Sequence, residues 1–231
     1  MNKHEVLEQL RGKLIVSCQA LPHEPLYDKE RSLMGYMAKA ALQGGAGGIR
    51  ANTVRDIIEI KKAVNLPVIG IIKAVTEGCP VFITPTMQEI DALATSGCEI
   101  IALDATFRTR PDGRNLDDLF AEAKAKYPNL LFMADCATYE ECMHAEEIGF
   151  DIVSTTLRSY TEDTKGIALP DLDLLTRLAK ECKAYVIAEG GIWTPEDLAA
   201  AYSCGIDSAV VGTAITRPME ITQRFIRALD K

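Results

Sequence analysis

The sequence predicts an α/β fold, a (β/α)8 TIM barrel with an extra N-terminal helix, in which residues 1–231 form one domain. Three observations predict it. Short apolar runs of strand length alternate with longer amphipathic segments eight times along the chain. The apolar runs are nearly continuous in Ile, Val, Leu and Ala, which suits parallel strands buried on both faces. The length of 231 residues fits one closed barrel, and no Pro/Ser-rich linker or change of composition divides it.

The elements follow in order. A helix over Lys3–Arg11 precedes the first strand, Leu14–Ala20, whose helix runs Ser32–Gln43. Strand Gly48–Ala51 leads to helix Val54–Val64, Pro67–Lys73 to Met87–Ser96, and Glu99–Asp104 to Leu116–Lys126. In the second half, Leu130–Asp135 leads to Tyr139–Ile148 and Phe150–Thr156 to Leu172–Lys183. Ala184–Gly190 leads to Pro195–Ser203, and Ser208–Thr213 to Glu220–Asp230. Many helix-to-strand junctions carry glycine, as in Gln43-Gly44-Gly45, Ser96-Gly97, Ile148-Gly149 and Cys204-Gly205, where the left-handed conformation ends a helix. The longest irregular stretches, Leu21–Arg31, Ala74–Thr86, Thr106–Asn115 and Leu157–Pro170, all follow strands. In a barrel that places them over the mouth where active sites form.

Composition removes several function classes. A formal net charge of −8, with no cluster of Lys and Arg, argues against nucleic acid as a partner. The seven cysteines are scattered, odd in number and never spaced as CxxC, so neither a disulfide framework nor a zinc site is expected. His4, His23 and His144 share no metal-ligand spacing, and no metal is expected. No dinucleotide fingerprint or P-loop occurs. The N-terminus lacks the pattern of a signal peptide and no apolar run is long enough to span a membrane, so a cytoplasmic protein without a membrane partner is expected.

Charged residues at the ends of apolar runs carry the functional signal. Gln19, Arg50, Lys73, Asp104, Asp135, Thr155, Thr156, Glu189 and Gly212 all fall at strand ends. A buried charge without a partner costs several kcal/mol, roughly, so their convergence on one mouth points to a site. The bland reading is an ion-pair network at the barrel top, in which Asp104 or Asp135 caps a turn and Arg50 pairs with a carboxylate. A second signal lies in the last two loops. Glu189-Gly190-Gly191 ends one strand, and Val211-Gly212-Thr213-Ala214-Ile215-Thr216-Arg217-Pro218 follows the other. Glycines let a phosphate approach backbone N–H groups, a helix start adds a favourable dipole, and Arg217 offers a charge-assisted clamp. Trp193 and Tyr160 are further candidates for the rim.

The motifs Leu14–Pro22, Gly47–Asn52, Leu66–Lys73, Ile101–Thr106, Ala188–Gly190 and Val211–Pro218, taken together and in this order, resemble the N-acetylmannosamine-6-phosphate 2-epimerases of bacterial sialic-acid catabolism. The resemblance runs from about Leu14 to the C-terminus. It implies cofactor-independent interconversion of N-acetylmannosamine 6-phosphate and N-acetylglucosamine 6-phosphate, by removal and return of the proton at C2. It places the catalytic pair on Lys73 and Glu189, substrate contacts on Gln19, Arg50 and Asp135, and phosphate contacts on Gly190, Gly191, Gly212, Thr213 and Arg217; Thr156, from its position at a strand end, is expected to bind substrate as well. The resemblance also implies a homodimer, a sugar phosphate as the small-molecule partner, and no organic cofactor. One departure stands out: Ala74-Val75-Thr76-Glu77 follows the lysine where the family commonly has Arg-Asp. Two other readings keep the phosphate site: a Schiff-base aldolase using Lys73, or a sugar-phosphate-binding protein without catalysis.

Overall fold

The computed structural model describes residues 2–229; Asp230, the last residue of the final predicted helix, lies outside them. Eight parallel strands close into a barrel in sequence order, β8 pairing back onto β1. They are β1 Leu14–Cys18, β2 Gly48–Asn52, β3 Val68–Ile71, β4 Ile100–Asp104, β5 Leu131–Asp135, β6 Ile152–Ser154, β7 Tyr185–Glu189 and β8 Ser208–Val211. Helix α1 (Lys3–Leu10) precedes β1. The crossover helices are α2 Met34–Gln43, α3 Val54–Ala63, α4 Met87–Ala94, α5 Leu116–Lys126, α6 Tyr139–Ile148, α7 Leu172–Glu181 and α8 Pro195–Ser203. After β8 come a one-turn helix α9, Thr213–Thr216, and then α10, Pro218–Ile226.

The apolar runs look continuous in sequence, but the barrel sorts them with a period of two, because successive strand side chains point to opposite faces. Ile15, Ile69, Ile71, Ile100, Ala102, Leu131, Met133, Ile152, Tyr185, Ile187 and Val210 form one core inside the barrel. Val16, Ile49, Val68, Ile101, Leu103, Phe132, Val153, Val186 and Val211 belong to a second core between the strands and the helices. Helix α1 stoppers the barrel's N-terminal end. Its Val6 and Leu10 join the interior core, and the Leu10 carbonyl accepts from Ser208 Oγ at 2.6 Å. A Cβ at Gly48 would stand 2.5 Å from Leu10 Cδ2, so this strand position must lack a side chain for the stopper to seat.

At the other end the ladder stops sooner than the sequence suggests. Gln19, Lys73 and Thr156 stand just beyond β1, β3 and β6, and Thr213 opens α9 instead of closing β8. There the backbone turns to other partners. Lys73 pairs antiparallel with Ile83, flanked by hydrogen bonds from Ala74 N to Phe82 O and from Thr84 N to Ile72 O. The segment after β3 is therefore a short hairpin folded over the mouth. The junction glycines Gly45, Gly97, Gly149 and Gly205 have φ between 83° and 99°, as expected, whereas Gly44 does not, at −75°.

Candidate active site

Strand parity decides which side chains meet. Two residues past an inward apolar position lie Ser17 after Ile15, Lys73 after Ile71, Asp104 after Ala102, Asp135 after Met133, Ser154 after Ile152, Glu189 after Ile187 and Gly212 after Val210. A cavity of about 240 Å³ opens at this end of the barrel. Gln19, Lys73, Thr156, Glu189, Gly190, Gly191, Gly212, Thr213 and Arg217, nine of the eleven site residues expected from sequence, lie on its wall. Tyr160 and Trp193 border it too.

Arg50 and Asp135 are not on the wall. They lie beneath it, 1% and 0% exposed. Asp135 grips the Arg50 guanidinium with both oxygens, at 3.1 Å from Nη1 and 2.6 Å from Nη2, and Arg50 Nη1 also reaches Glu189 Oε2 at 3.2 Å. Burial disfavours the Arg50 cation, but Asp135 and Glu189 together outweigh it and push its pKa up. Arg50 is thus a fixed positive charge under the floor. Asp104 stays away from the cavity as well: it receives Thr106 Oγ1 at 2.7 Å and Arg108 Nη2 at 2.6 Å, and so organises the loop after β4.

Burial pushes the Glu189 carboxyl up to about 7, against the pull of Arg50 and with the help of Asp135. Lys73 moves the other way. Burial lowers it to about 8, with Arg217 and Arg50 adding to the shift and Glu189 and Glu24 opposing it. Its amine makes no side-chain hydrogen bond or ion pair among the described residues. In a ring of eight strands, β3 and β7 are four strands apart in either direction. Lys73 and Glu189 therefore face the cavity from opposite sides.

The loops after β7 and β8 build the far wall. Gly190 and Gly191 have φ of 110° and 70°, and a Cβ on Gly191 would stand 2.1 Å from Leu169 Cβ. No other residue fits there. The loop then ends in a capping box on α8, where Asp197 Oδ2 accepts from Trp193 N at 3.0 Å and Thr194 N at 2.9 Å. Gly212 precedes α9, whose first N–H groups have no partner within the helix. Arg217 Nε pairs with the buried Glu24 at 3.0 Å, which leaves its terminal nitrogens without a protein partner among the described residues.

These residues sit on a chain with clear relatives. Residues 34–231 match the profile of a family described as "Putative N-acetylmannosamine-6-phosphate epimerase". The chain belongs to this epimerase family. A protein of Clostridioides difficile named "Putative N-acetylmannosamine-6-phosphate 2-epimerase" is 51% identical over 225 residues, covering 97% of this chain and 99% of its own. One of the same name from Clostridium perfringens is 52% identical over 220 residues, covering 95% and 98%. The solved N-acetylmannosamine-6-phosphate 2-epimerase from Clostridium perfringens superposes with a TM-score of 0.92 at 50% identity, over 99% of this chain and 98% of that one. A thiamine phosphate pyrophosphorylase from Pyrococcus furiosus, 19% identical with a TM-score of 0.61 over 94% and 92%, shares the fold alone.

Several residues of the site were not expected from the sequence. Ser17 lies on the cavity wall and Ser154 within hydrogen-bond reach of Thr156; both have inward parity, so their strands carried the signal. Phe82 and Ile83 reach the wall only because the hairpin after Lys73 folds back. Glu24 sits in a loop with no periodicity, and nothing local marks it. Among the described residues, no group of three or more His, Cys, Asp or Glu could hold a metal ion. All seven cysteines are free, and His144 lies on α6 beside Asp117.

Proposed function

We propose that this chain is a 2-epimerase that interconverts N-acetylmannosamine 6-phosphate and N-acetylglucosamine 6-phosphate without an organic cofactor. The observation that carries the reading is the pairing of Lys73 and Glu189 across one cavity with pKa values of about 8 and about 7. The free side chains, at 10.5 and 4.5, stand six pH units apart. Within the site a proton on either group costs nearly the same, which suits a reaction that must run both ways.

The C2 proton is acidic enough to remove only beside a carbonyl, so the open-chain aldehyde is the reacting form. One of the pair takes the proton from one face of C2, and the other returns a proton to the opposite face. Their places on opposite strands of the ring support this division, and the geometry is compatible with either order. Arg50, held by Asp135, keeps Glu189 in place from below and helps depress the Lys73 pKa. Gly190, Gly191, Gly212, Thr213 and Arg217 hold the phosphate, and Gln19 meets the sugar. Anchoring the remote phosphate fixes C2 between the two groups and removes part of the cost of orientation.

The functional unit in this reading is one barrel domain over residues 1–231, cytoplasmic and homodimeric. No helix among the described residues is long and apolar enough to cross a membrane. Helix α10 buries none of its residues within the single chain, and Phe225 and Ile226 are 73% and 54% exposed, which favours a second copy.

The test is exchange at C2. In deuterium oxide the product should carry deuterium at C2, seen by NMR. Lys73→Ala and Glu189→Gln should each lower turnover by about 10²–10⁴-fold while the sugar phosphate still binds. Binding without C2 exchange in the unaltered protein would instead mark a sugar-phosphate sensor. A lysine of lowered pKa also suits Schiff-base chemistry. Borohydride with substrate should leave Lys73 unmodified, and a trapped adduct there would favour the aldolase.

A further inference from the structure

On the cavity wall, Thr156 Oγ1 stands among three oxygens: Asp135 Oδ1 at 2.7 Å, Ser154 Oγ at 2.8 Å and Glu189 Oε2 at 3.1 Å. A hydroxyl has one proton to give and two lone pairs to receive with. Ser154 is fully buried, and its only side-chain partner among the described residues is Thr156. With two carboxylates already facing Thr156, the consistent arrangement has Ser154 donating to it. Thr156 then keeps one proton for Asp135 or Glu189, and one lone pair for a donor.

Consider both states of Glu189. When it is ionised, Oε2 accepts from Thr156 and from Arg50 Nη1, which fixes the carboxylate. When Glu189 carries a proton, its O–H faces Thr156 Oγ1, which can accept only if its own proton turns away. Asp135, 2.7 Å from that same oxygen, is there to receive it. In each state Thr156 gives its one proton to a single carboxylate, Glu189 when that group is ionised and Asp135 when it is protonated, and the two states differ by the rotation of one hydroxyl.

We propose that Thr156 is a positioning residue for Glu189 rather than a sugar ligand, its single proton turning between Glu189 and Asp135 while Ser154 holds the hydroxyl from behind. The other charged groups that act on Glu189 are Arg50 from β2, Asp135 from β5 and Lys73 from beyond β3, so Thr156 is the one neutral member able to reverse its role. Its hydrogen bond lowers the Glu189 pKa, opposing the burial that raises it. The inference rests on the epimerase reading for its kinetic test and stands apart from it in a direct titration.

Thr156→Val should lower kcat at least about tenfold with KM changed less than about twofold. It should also move the acidic limb of the pH profile to higher pH, by about half a unit or more. Thr156→Ser should restore both, and Ser154→Ala should give a smaller shift in the same direction. A raised KM in Thr156→Val with kcat and the acidic limb unchanged would overturn the proposal and return Thr156 to the sugar. Where Thr156→Val does not fold, the serine variant and Ser154→Ala carry the comparison, and an unshifted limb in Ser154→Ala counts against it. Titration of the Glu189 carboxyl by difference infrared spectroscopy, without substrate, separates the two failures. An unaltered protein that exchanges nothing at C2 refutes the epimerase reading, whereas equal Glu189 midpoints with and without the Ser154 hydroxyl refute this one.

Discussion

At the residue scale, the site narrows the ordinary gap between an amine and a carboxyl. Burial acts on both but in opposite directions, because it penalises whichever form is charged. On the proposed mechanism, the productive state holds one proton between Lys73 and Glu189. Below about pH 7 both are protonated and no base remains; above about pH 8 neither holds a proton and no acid remains. kcat/KM should therefore follow a bell with its maximum between those values, read from initial rates across pH. Arg217 is a cation that lowers the Lys73 pKa. In Arg217→Gln the basic limb should accordingly move to higher pH, while KM for the sugar phosphate rises about tenfold or more through loss of the proposed phosphate contact. A basic limb that stays in place would separate Arg217 from Lys73.

At the element scale, short loops after strands carry the precision. The β7–α8 loop turns on two left-handed glycines, and the α8 capping box pins its end. Gly191→Ala would combine an unfavourable φ with a Cβ driven into Leu169. It should destabilise the protein by about 1–3 kcal/mol in urea unfolding and raise KM for the phosphorylated sugar. Unchanged stability and KM would mean the loop can open away from Leu169 without harm. The hairpin after β3 shows the same economy: the pairing that ends the parallel ladder also sets the direction of Lys73.

At the scale of the whole molecule, the barrel needs a closed bottom to present a site at its top. Leu10 enters the interior core from α1 and is 0% exposed. Leu10→Ala should cost about 2–5 kcal/mol, measured by denaturant unfolding, because the rigid ring of strands cannot collapse onto the gap. Turnover at saturating substrate should change little while the barrel stays folded, since α1 closes the end of the barrel opposite the cavity. A large loss of kcat in a folded Leu10→Ala protein would show that the two ends communicate.

The sequence alone determined the number and order of the strands and of the helices that alternate with them, though not the one-turn α9, because a strand buried on both faces must be apolar throughout and a charge at its end is conspicuous. Lys73 and Glu189 were legible for that reason, as were the glycine loops after β7 and β8. Tertiary structure decided what each charge faces. Asp135 and Arg50 end or line strands as Glu189 does, yet ring closure brings them together under the floor and leaves Glu189 at the wall. Thr156 could be placed at the mouth from sequence, but its three partners come from β5, β6 and β7. Glu24 met Arg217 across nearly the full length of the chain. Local pattern records whether a residue is buried; only the closed ring, with its fixed tilt and register, determines which distant residue shares that burial.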